Sequence, residues 1–220
     1  MTKRALTIGG YHTAADGLWT LASWALSEAV YKQTLIEIPG SSTMLDLSTS
    51  NTDGEPAYNS RTFTAVLESS EGDRLARKIR IDSMINTLDG YIHKITLPDD
   101  PERYIEGRVS VKELYNDLAH ASVEVTAFVQ PWKFAKQETQ VKLVATTTEQ
   151  EATLHNKGKR PVVPTIEITG GSVSIRYDNK NWALSPGTYA LPDIFLKPGA
   201  LTLKYSGAGT VWLKYREAVL

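Results

Sequence analysis

The stretch Ser122-Val123-Glu124-Val125-Thr126-Ala127-Phe128-Val129 decides the fold class of this chain. Small or branched apolar residues occupy every second position, and the residues between them point to the opposite face. This period of two is typical of a β-strand that buries one face in a core. Gln130-Pro131 follows and ends the strand, because proline cannot donate a ladder hydrogen bond.

The same alternation recurs in the second half of the chain. It predicts strands over residues 139–144, 165–168, 172–177, 200–205 and 210–215. Gly170-Gly171 lies between the second and third of these strands, and Gly207-Ala208-Gly209 lies between the last two. Each of these two strand pairs is therefore predicted to form a hairpin. Gly and Pro recur about every eight to twelve residues, which is typical of a sandwich or jelly roll.

One segment follows a helical period instead. Residues 73–88 are predicted to form a helix, with Ser69 or Ser70 as the N-cap and Gly90 as the stop. The apolar positions near helical spacing are Leu75, Ile79, Met84, Ile85 and Leu88. The basic residues from Arg74 to Arg80 indicate the solvent face of this helix. Residues 111–120 fit either a second helix or a turn-rich connection.

The segment 41–59 is rich in Ser, Thr, Asn, Asp, Gly and Pro. A loop of this length without its own structure is usually functional or ordered by a partner, so it is interpreted as a long surface excursion. Composition shifts again around residues 130–139, which predicts two domains, residues 1–135 and 136–220.

Composition excludes several classes of function. The 220 residues carry a net charge of -1 and contain no cysteine, which excludes disulfide frameworks, thiolate nucleophiles and Cys-ligated zinc. A near-neutral chain is not expected to bind nucleic acid by neutralising phosphates. The apolar stretch 17–30 is interrupted by polar residues and is too short to cross a bilayer, so no membrane association is predicted.

Residues that carry catalytic chemistry do not form a recognisable motif. His12, His93, His120 and His155 lack the spacing of a metal site. Asp99 and Asp100 are a candidate acid/base pair, but with prolines on both sides they indicate a turn instead. We therefore predict that the chain is not an enzyme and binds no metal and no cofactor. Trp182 follows a loop-like stretch and is the candidate for an exposed ring that contacts saccharide.

A series of short motifs runs in order along nearly the whole chain. The central one is Leu97-Pro98-Asp99-Asp100-Pro101-Glu102-Arg103-Tyr104-Ile105-Glu106-Gly107-Arg108-Val109, which ends in Tyr-x-x-Gly-Arg before a strand. The others are residues 38–40, 45–47, 58–62, 86–90 and 128–133, then Asn156-Lys157-Gly158 and the Pro-x-Ile-x-Ile-x-Gly run at 164–170. Together they resemble the distal tail protein family of long-tailed (siphovirus-type) bacteriophages and prophages. Each motif consists mostly of turn residues, so the order carries the resemblance.

The resemblance implies a mainly β fold: an N-terminal β-sandwich with one helix and a projecting arm, and a C-terminal galectin-like β-sandwich. It also implies a structural protein located at the distal end of the tail in the virion and made in the bacterial host cytoplasm. The expected assembly is a hexameric ring that joins the tail tube protein to tail-tip or receptor-binding proteins. The candidate arm or subunit-interface residues are Leu45, Leu47, Tyr58, Arg61 and Arg108. For Arg108, an ion pair within the fold is the competing interpretation. A carbohydrate-binding module for cell-wall saccharides is the alternative function.

Overall fold

The computed structural model describes residues 5–50, 52 and 54–220, and these form two compact units. The first unit extends to Lys133, and the second runs from Phe134 to Leu220. Antiparallel strands dominate both units, so the predicted mainly β class is confirmed.

The first unit is built on one antiparallel sheet. Its elements are β1 (Thr7–Ile8), β2 (Tyr11–His12), α1 (Thr13–Gly17), β3 (Thr20–Leu26), β4 (Leu35–Glu37), β5 (Met44–Asp46), β6 (Arg61–Ser69), α2 (Arg74–Leu88), β7 (Ile92–Leu97), β8 (Asp100–Asn116) and β9 (Ala121–Val129). The strand order in the sheet is β2-β1-β7-β8-β9-β6-β3, and β4 pairs only with β5. The predicted strand at 122–129 is confirmed as β9, whose core face carries Val123, Val125, Ala127 and Val129.

The helix α2 lies where the sequence predicts it, but it buries a different face. Its buried residues are Arg77, Ile81, Met84 and Leu88, which repeat at helical spacing. Of the apolar positions named from the sequence, Met84 and Leu88 are buried, whereas Leu75 and Ile79 are exposed. The assignment of the basic residues 74–80 to the solvent face was therefore wrong for Arg77, and a search for apolar residues alone misses the buried stripe for the same reason. The N-cap is Asp73, whose side chain accepts from the Ala76 amide, and not the predicted serines.

Residues 111–120 are not helical. The strand β8 continues to Asn116, and an irregularity between Glu113 and Tyr115 shifts its register against β9. A bulge of this kind breaks the period of two and brings apolar residues closer to helical spacing. In the turn that follows, the Asp117 carboxylate accepts hydrogen bonds from the backbone N–H groups of Ala119 and His120. These bonds hold the pKa of that carboxyl below its ordinary value, the His120 amide contributing most.

The second unit is a sandwich of two four-stranded antiparallel sheets around one core. Its elements are β10 (Lys133–Ala135), β11 (Thr139–Val144), β12 (Gln150–Asn156), β13 (Thr165–Thr169), β14 (Val173–Tyr177), β15 (Lys180–Leu184), β16 (Gly187–Ala190), β17 (Gly199–Gly207), β18 (Thr210–Tyr215) and β19 (Ala218–Val219). One sheet has the order β11-β18-β13-β16, the other β12-β17-β14-β15, and β10 pairs with β19.

Both predicted glycine hairpins in this unit were wrong, although all of their strands exist. The pairs β13/β14 and β17/β18 each divide between the two sheets. The two glycine loops pass close to each other: a Cβ on Gly171 would lie 2.8 Å from the carbonyl oxygen of Ala208, and one on Gly209 would collide with the carbonyl of Gly171. Glycine is needed here for close backbone approach between the loops and not for a hairpin turn.

Candidate assembly surfaces

The arm of the first unit is a closed excursion that starts at residue 30, earlier than the sequence predicted. At its base the Asn59 amide donates to the Val30 carbonyl (2.8 Å) and the Lys32 amide donates to the Ala57 carbonyl (2.7 Å). Between these contacts the chain forms the β4–β5 hairpin, with Ile36 opposite Leu45. We call residues 30–59 the arm. The predicted segment 41–59 omits the first eleven residues of the arm, because the first strand is apolar and does not resemble a loop in sequence.

Apolar side chains of the hairpin are exposed on both faces. Residues directly opposite each other in an antiparallel pair share a face, so Ile36 and Leu45 form one apolar face. The other face carries Leu35 and Met44, and Met44 is 61% exposed. A two-stranded hairpin alone is at best marginally stable in water. The hairpin therefore presents a surface suited to binding another protein.

The charge of the hairpin is entirely acidic. Glu37 and Asp46 lie on the same face as Leu35 and Met44, and residues 33–50 contain no Lys or Arg. The Asp46 carboxylate also accepts the Ser48 amide at 2.8 Å. Hydrogen bonds from Ser48 lower the pKa of the Asp46 carboxyl, so this charge is partly engaged by its own turn.

Three of the predicted interface residues lie at or near the base of the arm. The Tyr58 ring meets Trp132 edge to face with centroids 5.3 Å apart. Arg61 is 9% exposed, and its Nε donates to the Ser27 carbonyl at 2.6 Å. Desolvation lowers the pKa of this guanidinium. Leu47 is half-buried, and its amide donates to the Thr34 carbonyl. Tyr58 and Arg61 thus hold the base of the arm, the Leu47 bond lies within the arm itself, and Leu45 is exposed on the hairpin.

The fifth predicted residue, Arg108, lies on the outer face of the sheet. The cross-strand row there is Ile92, Arg108, Phe128 and Thr62, in neighbouring strands β7, β8, β9 and β6. The Arg108 guanidinium donates to the Gly90 carbonyl. Phe128 is 67% exposed and Ile92 60% exposed. A shallow depression of about 420 Å³ runs along this row.

Trp182 of the second unit is less exposed than the sequence suggested. The Trp182 ring is half-buried and packs against the second core. Trp212 alternates with the buried Val211 and Leu213, so its side chain points away from that core, and Lys142 lies over its ring at 5.4 Å. Trp212 therefore lies on the solvent side of its sheet, which sequence alternation alone can identify once the strand is placed.

The outer face of the β12-β17-β14-β15 sheet carries a polar groove of about 370 Å³. Arg176 and Lys204 share the Glu149 carboxylate at 3.6 and 3.5 Å, and Ser174 donates to Asn181 at 2.6 Å. Hydrogen-bonding groups of this kind suit a polar ligand, whereas Tyr205, an aromatic residue in the lining, is buried in the second core and offers little ring surface for stacking against a sugar.

Within 5–50, 52 and 54–220, no three His, Asp or Glu side chains are arranged to hold a metal ion. Asp99 lies in the turn between β7 and β8, and Leu97 pairs with Asp100 across it, as the sequence predicted. Among the described residues, no helix has the length and apolarity needed to cross a bilayer.

No protein-family model and no curated protein sequence matches this chain. One solved structure, that of the Dit protein (gp 19.1) of SPP1, is similar over 98% of this chain and 99% of its own, with a TM-score of 0.69 and 15% sequence identity. SPP1 Dit is described as a paradigm of the hub adsorption apparatus in Gram-positive-infecting phages. The likeness shows that the two chains share a fold, and the resemblance to distal tail proteins is confirmed at that level.

Proposed function

We propose that this chain is a structural subunit at the distal end of a bacteriophage tail. The observation that carries the proposal is the likeness to SPP1 Dit, which covers 98% of the chain and therefore includes both units and the arm. In this role the protein is not an enzyme, and it acts by holding other proteins in a fixed arrangement. Its place is the virion, after synthesis in the bacterial host.

The assembly we propose is a hexameric ring. The tail tube protein contacts one side of this ring, and tail-tip or receptor-binding proteins contact the other. The exposed apolar hairpin supports self-assembly, because it gains stability only when another surface covers it. A ring also requires that two different surfaces of the same chain bind each other.

The mass of the purified full chain in solution tests this proposal. Size exclusion with light scattering is expected to give a species of six 24.3-kDa chains at high concentration, and negative-stain images are expected to show six-fold rings. A variant in which residues 33–48 are replaced by a short Gly-Ser linker should be monomeric with both units folded. A wild-type chain that stays monomeric at the highest concentration, alone and with the tail tube protein, contradicts the proposal.

A carbohydrate-binding module in the second unit is the second candidate, favoured by the polar groove around Arg176 and Lys204. Binding of the full chain to cell-wall saccharides, abolished by Arg176→Ala, would support it. Trp182→Ala is a poorer probe, because loss of its ring removes core packing. No retention on any wall polymer removes this candidate without affecting the ring.

A further inference from the structure

The outer face of the first sheet carries an apolar row that the fold does not need. The nearest neighbours of Phe128 on the same face of β9 are Thr126 and Glu124, which are polar and partly exposed, and this face becomes buried only at Ser122. Phe128 itself is 67% exposed, and Ile92 is 60% exposed two strands away. Both side chains increase the contact of apolar surface with water and leave the core unchanged. Aromatic residues are enriched in protein interfaces relative to the rest of the surface, which makes Phe128 a candidate anchor for a partner.

Arg108 lies between these two apolar side chains. Ile92 pairs with Arg108 in β7–β8, and Arg108 pairs with Phe128 in β8–β9. The guanidinium donates to the Gly90 carbonyl and forms no ion pair within the described part of the chain. The competing interpretation from sequence, an ion pair within the fold, therefore lacks a partner there. An arginine flanked by apolar surface is suited to pair with a carboxylate that arrives on an apolar partner.

The hairpin of the arm carries the complementary features. Its exposed residues are apolar except for short polar side chains and two acids, Glu37 and Asp46. Asp46 is engaged by Ser48, whereas Glu37 is exposed opposite Met44 and next to Ile36. The hairpin thus presents one carboxylate among apolar side chains, and the row presents one guanidinium among apolar side chains.

We propose that the hairpin of one copy binds the Ile92–Arg108–Phe128 row of a second copy, with Glu37 paired to Arg108. This inference rests on the proposed ring and names the contact that builds it. The contact is heterologous, because hairpin and row are different surfaces of one chain, and heterologous contacts close into rings when the rotation permits. Apolar contact supplies most of the affinity, and the ion pair fixes the register.

Charge reversal tests this contact on the full chain. Arg108→Glu and Glu37→Arg are each expected to weaken self-association at least about tenfold in sedimentation equilibrium. The double variant should recover to within about threefold of wild type. Arg176→Glu reverses another exposed arginine, in the second unit, and should leave association unchanged. Circular dichroism and thermal melting establish that each variant folds.

The absence of cysteine allows a second readout. Chains with Glu37→Cys are mixed with chains with Arg108→Cys and oxidised; a disulfide-linked dimer of the two variants is expected, and it should be lost on adding Phe128→Ser. Wild-type assembly that is unchanged by either charge reversal, with no mixed disulfide, overturns this contact and leaves the ring proposal standing. A wild-type chain that never self-associates overturns both. If the variant that lacks residues 33–48 still assembles, the row binds a different partner and the inference is overturned.

Discussion

Replacing Arg77 with Met is expected to destabilise the first unit by about 3 kcal/mol. Arg77 is 1% exposed within the buried stripe of α2. Its guanidinium donates to the carbonyls of Gly72 (2.5 Å), Asp117 (2.8 Å) and Leu118 (3.1 Å), and its Nε donates to Asn116 at 3.4 Å. One side chain thus joins the loop before the helix to the turn after β8.

The magnitude follows from these bonds. Each good hydrogen bond contributes about 1 kcal/mol net, and bonds from a charged donor contribute somewhat more, so three bonds to carbonyls give about 3 to 4 kcal/mol. Methionine has a similar length and recovers part of this by burying an apolar chain. Removing a buried charge also ends its desolvation cost, and in some proteins that gain makes such a replacement neutral or stabilising. For Arg77 we expect the first effect to win, because the carbonyls it leaves cannot all reach water.

Denaturant unfolding of the full chain, followed by tryptophan fluorescence, measures this difference. Trp19 is fully buried in the first unit, and Trp182 and Trp212 of the second unit are replaced by Phe in every chain compared, so that the fluorescence reports the first unit. Arg74→Met, on the exposed side of the same helix, is the matched control and should change stability by less than about 0.5 kcal/mol. Amide hydrogen exchange of residues 117–120 should also accelerate in the Arg77→Met chain. A change below about 1 kcal/mol, with unchanged exchange, would show that relief of desolvation dominates and that the reasoning is wrong.

Three further predictions follow from packing and charge. Ile79→Ser should leave stability within about 0.5 kcal/mol of wild type, whereas Ile81→Ala should cost about 2 to 5 kcal/mol, measured by the same denaturant titration. Gly171→Ala should lower the stability of the second unit by about 2 kcal/mol, because its Cβ would meet the Ala208 carbonyl; an unchanged melting temperature would contradict this close approach. Asp117→Asn should lower the melting temperature above about pH 4 and converge with wild type as pH falls below that value, because the folded-state pKa of this carboxyl is depressed and its contribution is lost on protonation. A difference that is the same at pH 3 and pH 7 would show that its charge contributes nothing.

The sequence predicts single elements in this chain better than it predicts their partners. The period of two in β9 and the apolar spacing around α2 are local signals, and both elements form where predicted. The sheet to which a strand belongs is decided by contacts distant in sequence. A glycine loop such as 170–171 has the same composition whether it folds a hairpin or crosses between two sheets. Only the approach of the second loop, around Gly209, distinguishes the two.

The roles of residues at the candidate surfaces also depend on contacts that are distant in sequence. Tyr58 and Arg61 were predicted as arm or subunit-interface residues because they match the Tyr-x-x-Arg element of the family that the chain resembles. The structure gives each an internal partner, Trp132 for the ring and the Ser27 carbonyl for the guanidinium. Both residues thus have partners within one chain, and their role at a subunit interface stays a prediction. The hairpin was missed because its first strand is short and its apolar residues resemble a core strand; exposure on both faces appears only in three dimensions.

The Tyr-x-x-Gly-Arg motif, residues 104–108 of β8, contains two residues that the fold requires and one that it does not. Tyr104 is buried and receives Lys94 over its ring at 4.8 Å. Gly107 must lack a side chain, because a Cβ there would lie 2.7 Å from the Val129 Cα. These two residues serve the packing of the sheet, so a stability measurement should detect their loss.

Arg108 contributes one bond to a loop carbonyl and otherwise faces solvent beside Phe128. If the motif were purely structural, its last position would accept any residue suited to a solvated strand, and Arg108→Thr would have no effect on folding or assembly. If the row binds a second copy, that substitution should leave the melting temperature unchanged and still weaken association. Of the three residues, Arg108 is thus the position at which assembly can be separated from folding.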